Sequence, residues 1–426
     1  MRQIKRIIWN RVGELMKDSN VYINELKYQK NMLAYALGRR GAKIDGSESF
    51  VDLCNKIDDA QYIKINIESG EYSLTNAESV IIPDNITSIG NNAFKGCTSL
   101  QSIEIPDSVT SIGNNAFENC KSLQSIEIPD GVTSIGNSAF SGCTSLQSIE
   151  IPYGVTSIGN GAFSGCTSLQ SIEIPYGVTS IGDYAFKGCT SLQSIEIPDS
   201  VTSIGGNAFE NCTFQSIEIP DSVTSIGANA FNNCKSLQSI EMPYSLTSID
   251  TYVFRNCTSL QSIEIPDSVT KINTSAFDNC ASLQSIKIPD SVTFIGQYAF
   301  KMCTSLQSIE MPDSVTTIAN YAFDGCTSLQ SIEIPGNKAA IGQYAFNNCL
   351  SLKSVKILNS VTSIDNYAFK GCTALQSIEI SDSVTTIKSL AFMNCSSVKS
   401  ITINKPSGSI SSAPWGATNA TVTWTG

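Results

Sequence analysis

The chain has 426 residues, 41% of them hydrophobic, with 27 Lys+Arg against 38 Asp+Glu, no histidine and a net charge of −11. The acid excess lies beyond residue 60, where 16 basic face 30 acidic side chains; residues 1–60 carry 11 against 8. An acidic body argues against nucleic acid as partner, because duplex binding runs on Lys and Arg neutralising phosphates, and no stretch approaches the about 20 apolar residues of a membrane-spanning helix.

The opening, MRQIKRIIWNRVGELMKDSN, is charged throughout and lacks the apolar core of about 7–15 residues that marks a secretory leader. The expectation is a chain made in the cytoplasm, with a final place at a cell surface, outside the cell or in a virus particle left open. Ile4, Ile8, Val12 and Leu15 recur at helical spacing, as do Leu26, Leu33 and Leu37. A third helix is predicted near residues 48–58, with Phe50, Leu53, Cys54 and Ile57 on one face. Residues 1–60 are therefore expected to form a small α-helical head that anchors the chain, oligomerises it or only caps the remainder of the fold. Residues 61–82 alternate apolar and polar and predict an N-terminal strand cap.

From there a single period takes over. Of the 15 cysteines, all but Cys54 recur from Cys97 to Cys395 at a step of 23 residues, shortened once to 22, each closing a Phe-x-x-Cys turn. A period of this size marks a solenoid, in which each repeat is too small to bury its own apolar face and does so by stacking. In residues 106–128, PDSVTSIGNNAFENCKSLQSIEI, Leu123, Ile126 and Ile128 predict a main strand. Pro106 and Asp107 break it, and Val109 and Ile112 predict a short second strand. Gly113 is expected to allow the turn, and a brief helical or 3₁₀ turn to carry Ala116, Phe117 and Cys120 inward. Eight side chains of this coil would face the core. The fold expected is a mainly β repeat solenoid of about 14 coils over residues 83–403, with a C-terminal cap over 404–426 that brings Trp415 and Trp424 to the open end.

Metal sites need clustered ligands such as Cys-x-x-Cys, which does not occur, and histidine is absent, so no metal and no cofactor are expected. The thiols are expected free and buried as small apolar fillers.

Leu-x-x-Ile-x-Ile-Pro, Val-Thr-x-Ile-Gly and Ala-Phe-x-x-Cys, present in unit after unit, closely resemble the BspA-like leucine-rich repeats over residues 82–403. The resemblance implies non-enzymatic surface or binding proteins, bacterial adhesins among them, of the kind found in gut bacteria, their phages and anaerobic protists. One coil departs from the pattern: Thr213-Phe214-Gln215 stands where its neighbours have Thr-Ser-Leu-Gln.

Outward strand positions carry the clearest surface signal. Glu104, Glu127, Glu150, Glu173, Glu196, Glu218, Glu241, Glu264, Glu310, Glu333 and Glu379 form one column, interrupted by Lys287 and Lys356, expected on the concave face. At the strand spacing of about 4.8 Å, neighbouring like charges repel by on the order of 0.8 kcal/mol in water. Such a row either solubilises the sheet and blocks edge association or serves as a multivalent rail for a polybasic partner or Ca²⁺. Variation between repeats falls instead on the turns. Tyr298, Tyr321, Tyr344 and Tyr367, each just before Ala-Phe, are a second candidate patch, since tyrosine offers contact area at low entropic cost; packing on the neighbouring coil is the alternative. No histidine is available to activate a nucleophile, and carboxylates in a straight row lack a converging pocket, so no enzyme is expected. The favoured reading is a non-catalytic recognition or adhesion protein with a protein or cell-surface ligand. A phage-particle component anchored by the helical head and an intracellular scaffold are the alternatives, with self-assembly through residues 1–60 open.

Overall fold

The computed structural model describes residues 79–426 apart from 83, 335–339 and 359–360. The expected helical head, residues 61–78 of the strand cap and Cys54 lie outside the described residues. Within them the chain is a mainly β solenoid whose 14 buried cysteines from Cys97 to Cys395 delimit thirteen complete turns, against the 14 coils expected.

Most coils contribute a short main strand and a short second strand, and where these form they pair in parallel with a neighbouring coil in register. Ser216–Glu218 pairs with Ser239–Glu241, setting Ile217 against Ile240, and seven second strands from Ser248–Ile249 to Thr386–Ile387 form one continuous sheet. The register follows from the sequence period: a shift of one residue would turn every isoleucine outward. In residues 106–128 all eight predicted inward side chains, Val109, Ile112, Ala116, Phe117, Cys120, Leu123, Ile126 and Ile128, are buried.

The Ala-Phe-x-x-Cys segment corrects one expectation. No helix occurs among the described residues; the segment is a run of hydrogen-bonded turns. Asn115 and Asn119 sit at φ of 55° and 61°, and this left-handed residue every fourth position prevents helical propagation. Donors then alternate in direction. Phe117 N donates to Ala139 O of the next coil at 2.7 Å, whereas Cys120 N donates back to Phe117 O at 3.1 Å. Gly113 is a second correction, since its φ is not left-handed. A Cβ there would stand 2.7 Å from Asn91 N, a close approach of the preceding coil that favours glycine in this coil, although Asp250, Asn273, Ala319, Asp365 and Lys388 hold the same column elsewhere.

Phenylalanines from Phe94 to Phe392 stack in one unbroken column, with ring centroids 5.1 Å apart at Phe94–Phe117 and 5.7 Å at Phe231–Phe254. The cysteines do more than fill space. Each thiol from Cys120 onward donates to the phenylalanine carbonyl of the preceding coil, from Cys120 Sγ on Phe94 O at 3.1 Å to Cys395 Sγ on Phe369 O at 3.0 Å. A small apolar side chain that is also a donor satisfies a second lone pair of a buried carbonyl, which Ala or Val leaves unmet. In the shortened coil Phe214 takes the leucine position, 1% exposed and edge-on to Phe209 and Phe231. At the C-terminal end Trp415 is fully buried, its Nε1 donating to Ser411 O at 2.7 Å. Half-buried Trp424 belongs to the last strand, Thr421–Trp424, paired to Ser400–Ile403.

Burial pushes the ten thiols from Cys166 to Cys372 above the ordinary 9.0, Cys189 to about 12. The folded state keeps these protons where the unfolded chain releases them. The stability these thiols contribute is therefore full below pH about 9 and is lost as pH rises further. Thermal melts should show a steep decline in Tm above that pH, and thiol titration with a small disulfide reagent at pH 8 should label the repeat cysteines only after denaturation. Phe277→Ala, which interrupts the ring column, should destabilise by about 3–5 kcal/mol in denaturant titration.

Candidate binding surface

With the isoleucines committed to the core, the alternate residues of each main strand face solvent. All eleven glutamates of the predicted row, Glu104 to Glu379, are exposed, as are Lys287 and Lys356. Register brings neighbours directly opposite: Glu104 with Glu127, Glu173 with Glu196, and Glu218 with Glu241. The lysines break the repulsion where they occur. Lys287 pairs in register with Glu310, and Lys356 Nζ lies 3.6 Å from Glu333 Oε1, both side chains more than half exposed. An exposed pair of this kind contributes at most about 1 kcal/mol. The main effect is electrostatic: one face of the sheet presents a line of negative charge with two positive interruptions.

The tyrosine edge is built differently. Tyr298, Tyr321, Tyr344 and Tyr367 all occupy the left-handed turn position, at φ of 59°, 60°, 58° and 62°. Their rings form a half-buried ladder with centroids 5.0, 4.8 and 4.8 Å apart. Lys301 Nζ lies 5.1 Å from the Tyr298 ring, and Lys370 Nζ lies 5.7 and 5.5 Å from those of Tyr344 and Tyr367. The same column of cations reaches across coils to carboxylates, as in Lys187 to Glu210 at 2.9 Å and Arg255 to Asp278 at 3.5 Å. Burial holds the Asp278 carboxyl above its ordinary range in spite of Arg255 and Lys301, and desolvation, then the Tyr344 and Tyr298 hydroxyls, raises Tyr321. The ring faces of this ladder are thus occupied by one another, and only edges and hydroxyls remain for a ligand. The two predicted patches lie on separate parts of the coil, one on the main strand and one on the turn before Ala-Phe.

Other tyrosines carry more accessible surface. Tyr153, Tyr176 and Tyr244 are 73%, 69% and 74% exposed, on the turn directly after the proline. The sequence marks them as Pro-Tyr where most coils have Pro-Asp, and sequence reasoning passed them over in favour of the longer run.

Residues 65–193, 179–307 and 293–416 match the BspA type Leucine rich repeat region. The chain belongs to this leucine-rich repeat family. Among solved structures, this BspA-type protein is similar to a leucine-rich repeat protein from Bacteroides ovatus, with 28% identity over 85% of this chain and 87% of the other at a TM-score of 0.59. It is also similar to a leucine rich cell surface protein from Faecalibacterium prausnitzii, 32% identical over 78% and 89% of the two chains at a TM-score of 0.47. No match is found among curated proteins.

The two kinds of tyrosine should separate in denaturant titration. Tyr344→Ala removes two stacked neighbours and should destabilise by about 1–3 kcal/mol, while Tyr153→Ala, which removes a solvated ring, should stay within about 0.5 kcal/mol of the parent.

Proposed function

We propose that this leucine-rich repeat protein is a non-catalytic recognition protein that presents its acidic sheet face to a cationic protein or cell-surface ligand. The observation that carries this reading is the row of eleven exposed glutamates held in register along the stack. A row of carboxylates along the stack, interrupted by Lys287 and Lys356, engages a polyvalent partner at several points for one loss of translational freedom, so weak single contacts add into avidity. Membership of a non-enzymatic kind of repeat supports binding over catalysis. A stripe that only keeps the sheet soluble would have the same charges but no saturable partner.

Polylysine tests the two readings on the full chain. It should bind at low ionic strength and be released as salt is raised, and a variant with Glu150, Glu173, Glu196 and Glu218 changed to Gln should bind about tenfold more weakly. Absence of binding at low salt, or equal binding by the variant, would leave the row as a solubilising stripe.

A further inference from the structure

The acidic column of the main strands ends before the stack does. After Glu379 its next two positions are Thr402 and Thr423, and from Pro406 to Gly426 the chain carries no Asp, Glu, Lys or Arg. The last strand, Thr421–Trp424, pairs with Ser400–Ile403 on one side, and among the described residues no strand pairs with its other edge. Open edges invite a further strand, and folds that resist this place charge or proline on them. This edge has neither, and its Thr, Val and Trp are strand-forming residues.

Register shows what the edge offers. Thr421 N donates to Lys399 O and Thr425 N to Ile403 O, both at 2.9 Å, so alternate residues from Thr421 to Thr425 turn their backbone groups to the inner strand. The residues between them point the opposite way. The N–H and C=O groups of Val422 and Trp424 therefore face outward along the stack. Both side chains are half-buried against the end of the core, whereas Thr421, Thr423 and Thr425 are exposed.

Thr421-Val422-Thr423-Trp424-Thr425 is self-complementary: threonine stands at its centre and both ends, with an apolar residue on either side of the centre. A second copy turned about a two-fold axis through Thr423 runs antiparallel to the first and sets Val422 opposite the partner's Trp424. In this register Val422 and Trp424 exchange N–H···O=C bonds with the partner's pair in both directions, and every outward backbone group of the strand is met. Half-buried Trp424 gains a cover, and Thr423 faces its own copy. No like charges meet at the edge, since Glu379 lies two strands behind it, on the order of 10 Å. We propose that Thr421–Trp424 is a self-association edge at which two copies join end to end, their main sheets continuous through one antiparallel strand pair. The site depends neither on the acidic-face reading nor on residues 1–60.

Substitutions at the axis test the proposal, because each residue there is met by itself. Self-association of the full chain is measured by sedimentation for the parent, for Thr423→Lys, for Thr423→Glu and for an equal mixture of those two, with Tm confirming the fold. Thr402→Lys, in the same column on the inner strand, is the control, and Lys356 shows that the column accepts lysine. The parent should dimerise. Each Thr423 variant alone sets like charges directly opposite and should weaken the dimer about fivefold. The mixture, which pairs Lys with Glu, should recover it to within about twofold of the parent, and the control should leave it unchanged. A parent that stays monomeric at the highest concentration reached overturns the proposal. So does association that both Thr423 variants leave intact, which places the contact elsewhere in the chain, or a mixture no tighter than either variant alone.

Discussion

Each coil of this protein is completed by its neighbours, and the alternating donors of the Ala-Phe-x-x-Cys turn are where that dependence is tightest. Phe117 N points up the stack and Cys120 N back into its own coil. Alternate donors of a turn built this way find their acceptors only in the stack. Such a turn also demands a constant step, because a buried donor without its carbonyl is costly. The cysteine column answers the same demand from the side-chain direction by capping the phenylalanine carbonyls.

Constancy inside dictates where variation can occur outside. Positions that touch the preceding coil through backbone, such as Gly113, are held mostly by glycine, with Asp250, Asn273, Ala319, Asp365 and Lys388 as the exceptions in that column. The side chains of the outward glutamates and of Tyr153 and Tyr176 are exposed, so burial in the core does not fix them. Repeating one acidic residue along the strands sets like charges opposite one another, as at Glu218 and Glu241, and register forces them to stay there. The tyrosine ladder is a mixed case: its rings are part of the packing of the turn edge, with Lys301 and Lys370 beside them.

The core was almost wholly legible in the sequence because burial and sequence share one period; all eight inward residues of the coil from 106 to 128 lie where alternation puts them. The turn was misjudged because Ala116, Phe117 and Cys120 have the spacing of a helix face, and periodicity does not reveal a left-handed Asn115. The role of Gly113 was likewise hidden, since a close approach between coils is not written within one coil. The exposed glutamate row was legible for the same reason as the core. The standing of the tyrosines was not: residue type alone separates neither the stacked Tyr344 from the solvated Tyr153 nor a ring that packs from one that is offered.

By itself the sequence determined the solenoid, its register and the columns of its core, because a 23-residue repeat of apolar residues has one way to bury them all. Only the tertiary structure decided which outward residues are free. Exposure depends on what the adjacent coil brings alongside: a second ring beside Tyr344, open solvent beside Tyr153.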